Sequence, residues 1–254
     1  MAQEEKMSSL EEMILAMKAS WQPRDDMSKK EINCKLCNDK GFTITHSETG
    51  YELYNKCECA IKKENQERIE RSGLSDFFKT RSFDNFNAST KEQKEALSIC
   101  KTYVGTKGNN NLLLLGAIGS GKTHLAAACL MELGKKGAFI RYVNYLDMVK
   151  AIGIAARDTE SYFDVMRRYK EPRVLLIDDL YKGVIRETHL SYIYEIINDR
   201  YNTNKKTIIT SEKHISALME IDPAISSRLL ERAKDFTVTM QTTDNYRVNK
   251  FLGR

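Results

Sequence analysis

At 254 residues, with 41% hydrophobic and 30% charged content, the chain can bury one mid-sized core and carry a small appendage. No apolar run approaches the ~18 to 20 residues of a membrane span, and the acidic start MAQEEK is unlike an export signal, so no membrane role, a cytoplasmic location and six reduced or metal-bound cysteines are expected. The net charge of +5 is uneven: residues 1–80 hold 13 Lys and Arg against 15 Asp and Glu, the remainder 27 against 20, a basic excess that fits either a polyanionic partner or an ordinary solvated surface.

From the N-terminus, Leu10, Met13, Ile14 and Met17 fall at i, i+3, i+4 and i+7, with Trp21 one turn further on. That is an apolar stripe on a short helix. It packs on its own protein or docks in a partner's groove, a role that suits methionine-rich faces. Pro23, Arg24, Asp25 and Asp26 read as the hinge that closes this segment, residues 1–33.

Cys34 and Cys37 in CKLC, nineteen intervening residues, then Cys57 and Cys59 in CEC place two close thiol pairs over residues 34–60. Four thiolates so spaced can converge tetrahedrally on one Zn2+ ion, with disulfides or unpaired thiols as the alternative. The segment between them reads as a hairpin too small to be stable alone, for which metal binding would supply the missing folding energy. His46 is a substitute ligand or an exposed side chain. Residues 61–72, IKKENQERIERS, read as a charged helix ended by Gly73, within a linker over residues 61–80.

LLLLGAIGSGKTHL, from Leu112, carries the spacing G-x-x-x-x-G-K-T through Gly116, Gly121, Lys122 and Thr123. Leu112 to Leu115 form the short apolar run of a strand buried on both faces, and an alanine-rich helix follows from Lys122, with Gly134 placed to stop it. Glycines at 116, 119 and 121 let backbone N–H groups curl around phosphate at a positive helix end. Nucleotide contacts are therefore expected from Gly116, Ala117, Ile118, Gly119, Ser120, Gly121, Lys122, Thr123 and His124. Lys122 reaches the β and γ phosphates and Thr123 holds magnesium.

AFIRYV, from Ala138 to Val143, reads as a further strand. YVNYLDMVK and YFDVMRRYK then offer Tyr145, Lys150, Arg157, Arg167, Arg168 and Lys170 as stacking and phosphate contacts for single-stranded DNA, or as core aromatics and surface cations. In RVLLIDDL a buried strand delivers Asp178, expected to hold magnesium, and Asp179, placed to polarise the attacking water. Tyr181 and Lys182, just beyond, are positioned to couple DNA to nucleotide. Glu187 to Tyr201 repeats apolar residues at helical spacing, and TIITS (Thr207 to Ser211) and FTVTM (Phe236 to Met240) read as strands, the last half-exposed. Between them Asp222 is an expected N-cap with Pro223 at the first helical position, and the helix carries Arg228. Strands alternating with helices make this an α/β protein with a parallel sheet.

In this order, GAIGSGKTHLA, VLLIDDL, TIITSE, SSRLLER and DNYRVNKF, preceded by cysteine pairs, resemble the DnaC/DnaI-type bacterial replicative helicase loaders, in particular their phage-borne versions. The resemblance covers about residues 34 to 254. It implies an AAA+ ATPase over residues 81–254, a three-layer αβα core of the additional-strand P-loop class with TIITS between the phosphate-loop strand and the Asp178 strand. It also implies ATP or ADP with Mg2+ in the site, Arg228 as an arginine finger in a neighbour's site, and Arg247 over the γ phosphate. Its implied partners are a hexameric DnaB-type helicase gripped by the N-terminal segment, single-stranded DNA, and further copies of the chain side by side. Two positions depart from the pattern. Glu212 stands where asparagine is common, leaving Thr210 or Ser211 for the polar role, and Asp179 stands where glutamate is common, so slow hydrolysis is expected. The short stretch after Arg247 leaves little room for a full helical lid. An IstB-type transposition helper ATPase acting on duplex DNA, and a nucleotide-binding adaptor with little hydrolysis, are the alternatives.

Overall fold

The structure, a computed structural model, describes residues 33–46, 51–241 and 251. Among these the chain divides into two compact units between Cys59 and Ala60. In the first, β1 (Phe42–His46) pairs antiparallel with β2 (Glu52–Lys56) in the register Ile44 to Tyr54. Every residue of β2 is exposed. A two-stranded hairpin of this kind is marginal by itself, so whatever joins its cysteines must contribute much of its order.

The second unit begins within α1 (Glu58–Glu70), which α2 (Asp76–Lys79) and α3 (Lys91–Gly105) follow. The charged stretch expected as a linker is helical, but it is no free tether. Ile69 is buried in the core and the buried Asn65 donates from Nδ2 to the Lys135 carbonyl at 2.8 Å, so the C-terminal half of the helix is packed, while Ile61 near its start is exposed. Next come β3 (Leu112–Gly116), α4 (Lys122–Lys135), β4 (Ile140–Asn144), α5 (Tyr145–Ala155), α6 (Thr159–Lys170) and β5 (Val174–Asp178). There follow α7 (Glu187–Asn202), β6 (Lys206–Ser211), α8 (Ile215–Ile221), α9 (Pro223–Arg232) and β7 (Thr237–Met240).

The five strands of this unit form one parallel sheet in the order β4-β5-β6-β3-β7. Alternation along β3 explains why its leucines run without a break: Leu112 and Leu114 enter one core cluster, Leu113 and Leu115 the other, and helices cover both faces. The strand carrying TIITS lies between β3 and β5, as the additional-strand arrangement requires. β7 alternates between partly and fully buried residues at the sheet edge. Asp222 caps α9 by accepting from Ile225 N at 2.9 Å, with Pro223 in its first turn.

One stop signal falls elsewhere than expected. Gly134 lies inside α4, where a Cβ would meet Ile140 Cδ1 at 2.8 Å and Ile69 Cγ1 at 3.1 Å. Its lack of a side chain serves close packing. The turn after α4 is made at Gly137, whose φ of 93° an L-residue rarely adopts, and β4 consequently starts at Ile140 rather than Ala138.

Candidate nucleotide-binding site

The loop between β3 and α4 is shaped by three glycines at positive φ, 116° at Gly116, 76° at Gly119 and 102° at Gly121. A Cβ on Gly116 would run into the Met240 carbonyl of β7, and the loop is tied there by Ala117 N donating to Met240 O at 2.8 Å. Gly121 is the N-cap of α4 and offers no side-chain cap, and the first turn holds no acidic residue. The N–H groups of that turn therefore have no side-chain acceptor at the cap, an arrangement that suits an anion. Lys122 Nζ donates to the carbonyls of Gly116 at 2.9 Å and Ala117 at 2.6 Å. Burial pushes its ammonium below the ordinary lysine range, against the pull of Asp179, Glu212 and Asp178. Ser120 Oγ is buried with no hydrogen-bond partner, a polar atom that fits a ligand rich in oxygen.

Opposite the loop, β5 delivers Asp178, only 4% exposed. Its Oδ1 accepts from Thr123 Oγ1 at 2.9 Å and Thr210 Oγ1 at 2.5 Å, and its Oδ2 from Tyr142 OH at 3.3 Å. Burial raises this carboxyl above the usual range, the Thr210 bond works against it, and the neighbouring Asp179 charge adds to the rise. A threonine hydroxyl joined to a buried carboxylate beside a phosphate cradle is a donor set that suits Mg2+ through oxygen ligands. Of the two residues left open for the polar role, Thr210 is the one bonded to Asp178. It also accepts from Asp179 N at 2.8 Å, whereas Ser211 Oγ donates to the Leu180 carbonyl. Asp179 and Tyr181 both hold positive φ, 58° and 61°. Such strained turns cluster at functional sites. Glu212 does face this site, but its charge is met by Lys182, whose Nζ lies 3.0 Å from Glu212 Oε1 and 2.9 Å from Asp179 Oδ2.

Residues 81–93 also belong to the site, which sequence reasoning missed. The Phe86 ring lies where a Gly121 Cβ would be, 2.6 Å from that position, and stands edge-on to His124 at 5.1 Å between centroids. His124 Nε2 is 2.9 Å from the Ser82 carbonyl, so its imidazole braces this segment; burial lowers its pKa. Gln93 completes a capping box with Thr90 and donates from Nε2 to Ser120 O at 3.3 Å. The spacing T-x-x-Q before an apolar helix was the available signal. Tyr142 left none, since its role depends on β4 lying beside β5.

The residues expected on DNA separate into two groups. Lys150, Arg157 and Arg168 are exposed, and Arg167 is exposed and paired with Asp164. Tyr145 is fully buried against Tyr181 and His189, and Tyr181 is 1% exposed, so neither ring can stack on a base. Both fill the space under the turn after β5. Lys182 is engaged by two carboxylates. Arg228 lies on α9, its Nη1 donating to Ala224 O at 2.8 Å and its guanidinium over the rings of Tyr194 and Tyr201 at 5.4 and 5.8 Å. The Leu10 to Trp21 stripe and Arg247 lie outside the described residues.

In the first unit, the sulfur atoms of Cys34, Cys37, Cys57 and Cys59 lie within 4.8 Å of one another. Cys34 to Cys57 is 3.7 Å and Cys37 to Cys59 is 3.4 Å. A tetrahedral zinc ion with ligands at about 2.3 Å sets its sulfurs about 3.8 Å apart, so the set fits. The C-x2-C turn is fixed by Asp39, which accepts from Cys34 N at 2.8 Å and Asn33 N at 3.1 Å. Backbone N–H groups of Cys37 and Leu36 lower the Cys34 thiol to about 7, while its neighbours, Cys37 first, push Cys59 up to about 12. Four thiolates this close repel one another unless a cation lies between them. His46, at the far end of β1, is exposed and is not in the cluster.

The relatives found by comparison fit this geometry. The chain is 28% identical over 222 residues to the phage-like element PBSX protein XkdC of Bacillus subtilis strain 168, covering 82% of each chain. It is 27% identical over 186 residues to the replicative helicase loader DnaC of Escherichia coli strain K12, covering 69% of this chain and 74% of that one. Its fold is similar to that of AMPPCP-bound DnaA from Aquifex aeolicus, with a TM-score of 0.57 at 22% identity over 69% of this chain. The chain spans about half the length of that DnaA structure, 54% of it. The family described as IstB-like ATP binding protein matches residues 51–251. The phosphate loop, the buried aspartate and the additional-strand sheet are thus those of a family, and the chain belongs to the IstB-like ATP-binding proteins.

Proposed function

We propose that this chain is an ATP-dependent loader of a hexameric DnaB-type replicative helicase, which it delivers to single-stranded DNA. The observation that carries the reading is the pairing of a complete phosphate and magnesium cradle, Thr123 joined to Asp178 across the loop, with an arginine, Arg228, braced on a separate helix by two tyrosines. Such an arginine completes a neighbour's site and stabilises charge on the transferring phosphoryl group. The likeness to DnaC, a replicative helicase loader, supports the same reading. ATP-bound copies assemble side by side, Arg247 sits over the γ phosphate, and Asp179 orients water for slow hydrolysis that releases the loader. Zinc held by the four cysteines orders the hairpin, and the stripe from Leu10 to Trp21 grips the helicase. The exposed cations Lys150, Arg157 and Arg168 serve DNA backbone contact.

The test mixes purified protein with the host's hexameric helicase and sizes the complex with and without ATP. A complex that depends on ATP and is lost in Lys122→Ala and Arg228→Ala supports the loader. No complex, with ATP turnover stimulated instead by duplex DNA, favours the transposition-helper reading, which the family's name supports.

A further inference from the structure

Asp179 is the acidic group nearest to water activation in the proposed site, yet it is already engaged. Its Oδ2 accepts from Lys182 Nζ at 2.9 Å, and the same ammonium reaches Glu212 Oε1 at 3.0 Å. The two carboxylates arrive on different segments, one in the turn after β5 and the other just past β6. The backbone between Asp179 and Lys182 is held firmly. Asp179 N donates to Thr210 Oγ1, Leu180 N to Thr210 O, Ser211 Oγ to Leu180 O and Lys182 N to Asp179 O, and the Tyr181 ring is buried below. Against that fixed turn, Lys182 has the freest side chain of the three, 45% exposed beside 21% for Asp179 and 31% for Glu212.

A carboxylate oxygen that accepts a bond from an ammonium is turned toward the cation and is a weaker acceptor for a second proton. Hydrolysis requires Asp179 to take a proton from water as the water oxygen bonds to the γ phosphorus. The bond from that phosphorus to the bridging oxygen breaks, and ADP leaves with the electron pair. The geometry points to Lys182 as a positioning residue: anchored by Glu212, it keeps Asp179 from the water and sets a slow resting rate of ATP hydrolysis. This rests on the proposed ATPase reading and deepens it. Glu212 then has a task at a position where an anion would otherwise repel phosphate. It supplies the second anchor that keeps the lysine over Asp179.

The test compares steady-state ATP hydrolysis and equilibrium ATP binding in the wild type, Lys182→Met, Lys182→Arg and Glu212→Gln, using the full chain. Lys182→Met raises kcat by about two- to fivefold, the range a half-exposed ion pair can restrain, while KM changes by less than about twofold because the cradle is untouched. Lys182→Arg, which retains the cation, gives less than half of that increase. Glu212→Gln shifts kcat in the same direction by less than Lys182→Met. A fall or no change in kcat for Lys182→Met, or an equal rise for Met and Arg, overturns the proposal. If instead the wild type binds no ATP, or Lys122→Ala binds it equally well, the nucleotide-site reading itself fails, so the two failures are told apart.

Discussion

Arg200 brings a full charge into the floor of the sheet with none of its surface exposed. Its guanidinium is spread over acceptors rather than matched to one acid. Nε donates to Thr207 Oγ1, Nη1 to the carbonyls of Tyr169, Lys170 and Pro172, and Nη2 to the Lys206 carbonyl. Those carbonyls end α6 and begin β6, so one side chain of α7 joins three elements and satisfies the last turn of a helix whose dipole favours a cation there. A lysine at this position cannot present a planar fork to five acceptors. Arg200→Lys should lower unfolding free energy by about 2–4 kcal/mol through buried carbonyls left unpaired, read from urea denaturation at constant m-value. A loss under about 1 kcal/mol would mean that water replaces the missing donors. Nothing in the sequence marks this residue, since an arginine on the apolar side of DRYN looks like a surface cation until the fold surrounds it.

At the scale of elements, the phosphate loop depends on β7 as much as on its own glycines. The register sets Gly116 opposite Met240, and the close approach leaves no room for a Cβ at Gly116. Gly116→Ala should therefore shift the loop from the edge strand and abolish ATP binding, seen as loss of fluorescent-nucleotide titration, while the circular dichroism of the sheet and helices persists. Undiminished binding would show that the loop and β7 move apart freely. The reason Gly116 is required was half readable in advance: the motif spacing demanded a glycine there, but its neighbour is set by sheet order. The same division runs through the molecule. Leu112 to Leu115 and Val174 to Ile177 declare buried strands through apolar runs, and Asp222 with Pro223 declares a helix start, because local chemistry decides both. Tyr145, Tyr181 and Lys182 mislead, because their aromatic and basic character is the same whether they meet DNA or each other's neighbours, and only packing separates the two. Gly134 misleads in a similar way. A helix-ending residue type is used there for the closeness of Ile140 and Ile69, while Gly137 makes the turn.

Across the whole molecule, stability comes from different sources in the two units. The second unit has two apolar clusters, one on each face of its sheet, whereas among the described residues of the hairpin unit only Cys37 and Cys57 are buried. Chelation should therefore act on one and spare the other. Treatment with a strong zinc chelator is expected to release one ion per chain and remove hydrogen-exchange protection from β1 and β2, leaving protection in β3, β5 and β6 intact. Purified protein without zinc, or a hairpin that stays protected after chelation, would show that the thiols hold the turn unaided. The position of β7 bears on how the molecule is made. During synthesis the signature residues of the loop leave the ribosome more than a hundred residues before Met240 does, and the nascent chain carries a nucleotide motif without the edge that braces it. On the proposed reading, competence for ATP arrives with β7, so fragments cut short of residue 240 are expected to keep the motif but remain silent toward nucleotide.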